Sequence, residues 1–252
     1  MKPFLKLSWV LALCAPFFLL QAQIKKIPAK KVPVHTTKIG PSVTKSTVAD
    51  TLKITAPVRI KISTSMGEIV VKLSDKTPLH RDNFVKLVNS HFYDSVLFHR
   101  IIAGFMIQGG DPTSKNAEPG ILLGNGAVGY TIPAEFDSTL YHKKGALAAA
   151  RDNNPQKASS GCQFYIVQGR KYSNSELDVI EMQKGVYFSP AKRMTYTMNG
   201  GTPNLDMNYT VFGEVESGIE VVDEIAQSAK DGNNRPLTNI SMKMEVIKED
   251  GK

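Results

Sequence analysis

The sequence predicts a mainly β protein, a closed antiparallel barrel, from three observations. Short β-type runs recur between Val58 and Ile247, glycine-rich turns separate them, and few helical stretches fall between. A βαβ sheet would instead place a helix after each strand. At 252 residues, 42% hydrophobic and 21% charged, the chain is long enough to bury a sizeable core and has an ordinary globular composition.

Residues 1–22 have the layout of a secretory signal peptide. Lys2 and Lys6 precede an uncharged run from Leu7 to Leu20, which Pro16 interrupts, and Gln21-Ala22-Gln23 follows. The run is too short to span a bilayer comfortably, and cleavage is expected after Ala22, although Leu20 at the −3 position is bulky. Cys14 follows Leu13 and the apolar run continues past it, which argues against lipidation there. The mature chain would keep one cysteine, Cys162, so no intramolecular disulfide is expected.

Residues 23–57, rich in Lys, Thr, Val, Pro and Ser, have no sustained period and read as a basic flexible linker. The whole formal charge of +8 lies before residue 58, and residues 58–252 are neutral overall. A neutral body with a basic tail lacks the broad positive face that a nucleic-acid groove demands, so nucleic acid is not an expected partner. The tail's charge is read as solvated; weak contact with an anionic membrane surface is the alternative it allows.

A single domain is expected over 58–252. Val58 to Thr64 and Glu68 to Leu73 form two strands around a turn at Met66-Gly67. Thr77-Pro78 supplies an N-cap and a first helical residue, and Phe84, Leu87 and Val88 at i, i+3 and i+4 give that helix one apolar face. Further strands are expected at Ser95 to Ile102, Phe105 to Gln108, Ala146 to Ala150, Gln163 to Val167, Thr210 to Val215 and Ile240 to Ile247, with a second helix from Ile219 to Gln227. Between them, residues 170–202 read as an inserted helical hairpin. Ser173 with Glu176 makes a capping box, Ser189-Pro190 opens a second helix, and Gly200-Gly201 with Pro203 ends it.

The chemistry concentrates in one string, Phe98-His99-Arg100-Ile101-Ile102-Ala103-Gly104-Phe105-Met106-Ile107-Gln108-Gly109-Gly110-Asp111-Pro112. On residue type alone Arg100 reads as a surface ion-pair residue, and Phe105 and Met106 as core. The whole string, however, resembles the signature of the cyclophilin family of peptidyl-prolyl isomerases. Two more blocks agree in the same order: Gly145 to Arg151 with Ser160 to Ile166, and Leu205-Asp206 with Tyr209 to Val215.

The resemblance implies an eight-stranded antiparallel β-barrel capped by two α-helices, with a peptide groove on its outer surface. It implies that Arg100 and Gln108 are catalytic, that Phe105, Met106, Tyr165 and Leu205 form a proline pocket, and that Gln163, Tyr209 and the backbone of Arg151 bind substrate. No metal and no cofactor is implied. Proline-containing peptides and unfolded exported proteins are the expected partners of a monomer located in the periplasm or secreted. A proline-peptide-binding module or chaperone without turnover is the alternative, although such a module would not need the arginine.

Those residue types suit the reaction on independent grounds. An X-Pro amide rotates over a barrier of roughly 18–20 kcal/mol because its nitrogen lone pair is delocalised into the carbonyl. A guanidinium can hydrogen-bond that lone pair as it localises in the twisted state, and so binds the transition state selectively.

Three positions depart from the commonest eukaryotic pattern: Tyr165 replaces a phenylalanine, Asn204 a tryptophan and Tyr209 a histidine. The aromatic wall is kept, whereas Asn204 removes an apolar rim, so tight cyclosporin binding is not expected. The histidines show no paired metal-ligand spacing, and His99 reads as a hydrogen-bonded structural residue. Cys162 reads as buried and inert. Tyr172, Tyr187, Phe188 and Tyr196 of the insertion either reach peptide residues flanking the proline or pack the two inserted helices.

Overall fold

The computed structural model describes residues 57–247, so the expected signal peptide and nearly all of the linker lie outside the described residues. The described chain runs β1 (Arg59–Thr64), β2 (Gly67–Leu73), α1 (Pro78–Asn89), β3 (Val96–Ile102), β4 (Met106–Gly109), β5 (Thr131–Ile132), β6 (Ala146–Ala149), β7 (Ser159–Ser160), β8 (Phe164–Val167), α2 (Asn174–Lys184), α3 (Pro190–Met198), β9 (Val211–Ser217), α4 (Ile219–Gln227) and β10 (Ser241–Ile247). Eight of these strands close a barrel in the order β1-β10-β3-β4-β8-β6-β9-β2, every neighbouring pair antiparallel. They are the eight runs read from the sequence. β5 and β7 form a separate two-stranded ribbon, too short to leave a sequence period. No helix among the described residues is long and apolar enough to cross a membrane.

Alternation decides which side chains fill the barrel. Ile60 and Ile62 of β1, Ile69, Val71 and Leu73 of β2, and Met242 and Met244 of β10 sit two residues apart and are all buried. α1 contributes Phe84, Leu87 and Val88 to the same core and α4 contributes Val221, Val222, Ile225 and Ala226, so each helix covers part of the barrel with its apolar face. Cys162 joins this core, and burial pushes its thiol pKa up, as its inert character requires. β6 and β8 are buried on both faces, because their outward residues lie beneath a second apolar cluster that includes Met106, Ala148, Tyr165 and Val211.

The start of α1 departs from the expected cap. The Thr77 hydroxyl makes no cap bond and instead donates to the Ser74 carbonyl. The first-turn N–H groups of Leu79 and His80 donate to the carboxylate of Glu135, at 3.0 Å each. A remote carboxylate thus satisfies two donors that the helix leaves open, and its charge also suits the positive end of the helix dipole.

The insertion folds as a hairpin of two helices. Its Ser173–Glu176 capping box forms as expected, α2 ends at a left-handed Gly185, and the Ser189 side chain accepts from the Lys192 N–H. Arg193 of α3 bridges Asp178 and Glu181 of α2 at 2.6 Å each. Phe188 and Tyr196 are buried with Leu177 and Ile180 in a cluster of the hairpin's own, which Tyr141 and Tyr172 flank, so these aromatics serve packing; Tyr187 remains 79% exposed. The two ends of the insertion are closed by reciprocal backbone bonds between Arg170 and Gly201, at 3.2 and 3.0 Å. Only glycine fits there. A Cβ on Gly201, at φ +152°, would lie 2.3 Å from the His142 carbonyl oxygen, and one on Gly169, at φ +68°, would lie 2.4 Å from the Gly201 Cα.

Candidate active site

Barrel register assembles the site. In the β3–β4 ladder Arg100 stands opposite Gln108, in β4–β8 Gln108 stands opposite Tyr165, and in β8–β6 Tyr165 stands opposite Ala148. Directly opposed residues share a face, so this row points outward across four strands. The next row, Ile101, Ile107, Ile166 and Leu147, points into the core. A register shift between Phe98 and Arg100 sets which β3 residues join the row.

The outward row borders a hollow of about 130 Å³ lined by Arg100, Phe105, Met106, Gln108, Ala150, Arg151, Tyr165, Leu205 and Tyr209. Eight of the nine residues singled out in the sequence meet here. The ninth, Gln163, borders the adjoining hollow together with Gln108 and Arg151. Larger hollows of about 420 and 560 Å³ lie beside β2 and against the hairpin, but neither is lined by an arginine or a glutamine. Unlike those two, the small one combines a guanidinium and an amide with apolar walls, at a size that suits one ring.

A chain of amides aims the guanidinium. Gln163 donates its Nε2 to the carbonyls of Gly124 and Gly126, at 2.9 and 2.8 Å, which turns its Oε1 toward Gln108. Gln108 donates Nε2 to that oxygen at 3.1 Å, and its own Oε1 then accepts from Arg100 Nη1 at 3.1 Å. Each amide orientation is dictated by the next one back, down to fixed backbone carbonyls. Arg151 does more than its backbone role implied: its guanidinium covers the Tyr209 ring at 4.7 Å and its Nε donates to the Asn208 carbonyl at 2.9 Å.

The apolar walls are held by separate devices. The Phe105 carbonyl accepts from the N–H groups of Gln168 and Gly169, at 3.1 and 2.9 Å, which ties the turn before β4 to the end of β8. Tyr165 and Tyr209 meet edge to face, with centroids 5.9 Å apart. Leu205 sits in a 3₁₀ turn, and Asn204 beside it is exposed with its carbonyl held by Lys184 Nζ at 3.0 Å.

Two partners of the site were not legible in the sequence. His142 places Nε2 2.9 Å from the Tyr165 hydroxyl and Nδ1 2.9 Å from Asp206 Oδ1. Burial lowers the His142 pKa against the pull of Asp206. Burial would raise the Asp206 carboxyl, but the hydrogen bonds from His142 and the charge of Lys192 hold it at about 2. His99 differs from its expected character: it is buried with no hydrogen-bond partner at either ring nitrogen among the described residues, and desolvation pushes its pKa down to about 4. Among the described residues no three His, Cys, Asp or Glu side chains are grouped to hold a metal ion.

Comparison with known proteins agrees with this fold. Residues 59–246 match the family model of the cyclophilin type peptidyl-prolyl cis-trans isomerase/CLD. A provisionally named peptidyl-prolyl cis-trans isomerase of Staphylococcus haemolyticus is 31% identical over 73% of this chain and 87% of its own length. A bifunctional phosphatase/peptidyl-prolyl cis-trans isomerase of Streptococcus pyogenes, also provisionally named, is 35% identical over 72% of this chain, which spans only 37% of that longer protein. The fold is shared with a Cryptosporidium parvum cyclophilin type isomerase, at a TM-score of 0.56 and 22% identity over 77% of this chain and 99% of that one. A second structure of that protein, in the presence of the dipeptide Ala-Pro, gives a TM-score of 0.54 and 23% identity, covering 76% of this chain and 99% of the other. With Arg100 and Gln108 of the signature string on an outward row of a closed barrel and the family match running from β1 to β10, the chain belongs to the cyclophilin-type peptidyl-prolyl cis-trans isomerases.

Proposed function

We propose that Arg100 carries the isomerisation, with Gln108 aiming it, and that the enzyme acts on X-Pro bonds of exported proteins as they fold. The observation that supports this most is the amide chain that anchors Gln108 and, through it, the guanidinium at the edge of an apolar hollow. The pyrrolidine ring rests against Phe105, Met106, Tyr165 and Leu205, while the residue before it turns. As the amide twists, its nitrogen becomes pyramidal and its lone pair localises. An Arg100 N–H donates to that lone pair and barely engages it in the planar state. Arginine suits this role because its charge is permanent and its fork leaves further donors after Gln108 has taken one. The Arg151 backbone and Gln163 hold the peptide chain alongside.

The reaction needs no proton transfer and no covalent intermediate. Each 1.36 kcal/mol removed from the barrier is worth about tenfold in rate, so one charged hydrogen bond with good positioning accounts for several powers of ten. Arg100→Ala is expected to lower kcat/KM on an X-Pro tetrapeptide at least about tenfold in a protease-coupled assay, with the melting temperature unchanged. Turnover within a factor of about two of wild type in a folded variant would overturn the assignment.

Export rests on the sequence alone: the basic start, the short apolar run and the polar linker before the barrel. The mature protein then begins near Gln23 and works outside the cytoplasm, in the periplasm or beyond. Mass spectrometry of the protein from the producing cell tests this, and an intact Met1 or a lipid on Cys14 would contradict it.

A further inference from the structure

We infer that His142 is a positioning residue for the proline pocket, holding the Tyr165 ring through its hydroxyl and connecting it to the inserted hairpin through Asp206. The inference rests on the reading of the hollow as the proline pocket.

The wiring is complete in both directions. His142 Nδ1–H and the His142 backbone N–H both donate to Asp206 Oδ1, at 2.9 Å each. With the proton fixed on Nδ1, Nε2 can only accept, and the Tyr165 hydroxyl donates to it at 2.9 Å. On the far side, Asp206 Oδ2 accepts from the Tyr196 hydroxyl and pairs with Lys192 Nζ, both at 2.7 Å and both from α3. Lys184, the last residue of α2, donates to the carbonyls of Asn204 and Asp206, at 3.0 and 2.6 Å. Both hairpin helices therefore grip the segment that carries Leu205, and the same carboxylate passes that grip to the ring on the opposite wall.

Position matters because every member is buried. Tyr165, His142, Asp206 and Tyr196 are each less than 5% exposed, so water does not compete for these bonds. A phenylalanine at position 165 would keep the wall but leave its ring tilt to packing alone. The hydroxyl adds a directional tether, and the His142 ring lies nearly parallel to the Tyr165 ring, with 15° between planes and centroids 6.0 Å apart. The departure of Tyr165 from the commonest eukaryotic pattern thereby has a partner and a purpose: it gives the pocket wall a fixed orientation that the hairpin supports.

The test is a mutant cycle read as KM and kcat on an X-Pro tetrapeptide, with the melting temperature recorded alongside. Tyr165→Phe is expected to raise KM about threefold and His142→Asn about fivefold, with smaller changes in kcat. In the Tyr165→Phe background, His142→Asn is expected to leave KM unchanged, although it still lowers the melting temperature. A merely structural histidine would shift KM equally in both backgrounds, and that result, or an unchanged KM in the wild-type background, overturns the inference. If His142→Asn fails to fold, Tyr196→Phe, which deletes one hydroxyl, serves instead, with KM expected to rise about twofold only when Tyr165 is present. Failure of the underlying reading looks different: Tyr165→Ala and Arg100→Ala would then both leave turnover intact.

Discussion

Two buried histidines in this protein are wired alike and serve different ends. His80 sets Nδ1 2.7 Å from Glu135 and Nε2 2.9 Å from the Ser159 hydroxyl; His142 sets Nδ1 2.9 Å from Asp206 and Nε2 2.9 Å from the Tyr165 hydroxyl. Burial lowers both imidazole pKa values against the pull of a carboxylate. The first set has the composition of a hydrolytic triad, serine, histidine and acid. Its serine is 1% exposed, and the space beside His80 amounts to about 10 Å³, closed by Phe84, Tyr93 and Phe212, so no substrate reaches it. The second set ends on a ring that forms a pocket wall. The lesson is that the hydrogen-bond pattern does not define the chemistry; what the terminal hydroxyl belongs to does.

The largest expected effect is on the His80 side. Glu135→Ala removes the acceptor for two helix N–H groups and for His80 together, so it should cost about 3 kcal/mol of stability in urea unfolding. The kcat/KM of the folded variant should stay within about twofold of wild type. A parallel fall in activity would break the distinction between the two sets.

Acid should strain both regions at once. His99, His80 and His142 all have folded-state pKa values below their ordinary one, so the unfolded chain binds protons that the folded chain refuses. Stability is therefore full above about pH 6.5 and falls as the pH drops toward the folded values, with His99, at about 4, contributing up to roughly 3 kcal/mol. Urea unfolding at pH 7.0 and 4.5 should show this loss, and His99→Phe should reduce it. A stability flat between those two conditions would show that burial does not hold these rings neutral.

The smallest effect sharpens the comparison most. Ser159→Ala removes a hydroxyl from His80 as Tyr165→Phe removes one from His142, and should cost about 1 kcal/mol with KM unchanged. Equal KM shifts from the two deletions would mean that the His142 set acts on the pocket no more directly than the His80 set does.

Much of this fold is legible in the amino-acid sequence alone. The eight barrel strands are legible as short β-type runs between turns, and α1 as a helix with its apolar residues three and four apart, signals carried by near neighbours. The Ser173–Glu176 box spans four residues, and it forms. Thr77 shows the limit of local reading: its sequence context suits an N-cap, yet Glu135, more than fifty residues away, takes that role. The outcome for Phe188 and Tyr196 was equally hidden, because an aromatic in an inserted segment reads the same whether it packs a hairpin or meets a ligand.

By itself, the amino-acid sequence determined the order of the barrel strands and helices and the residue types of the signature string, because these depend on chain neighbours and survive any small change of packing. The closed tertiary structure alone decided which of those residues meet. Arg100 faces Gln108, and Gln108 faces Tyr165, only at one register of three strands, and slipping any strand by one residue would send its site residue into the core. His142 lies 64 residues from Asp206 and 23 from Tyr165, separations at which no local preference acts. Their meeting depends on barrel closure, which brings the loop before β6, the middle of β8 and the turn before β9 to one place and excludes the water that would otherwise compete for each bond.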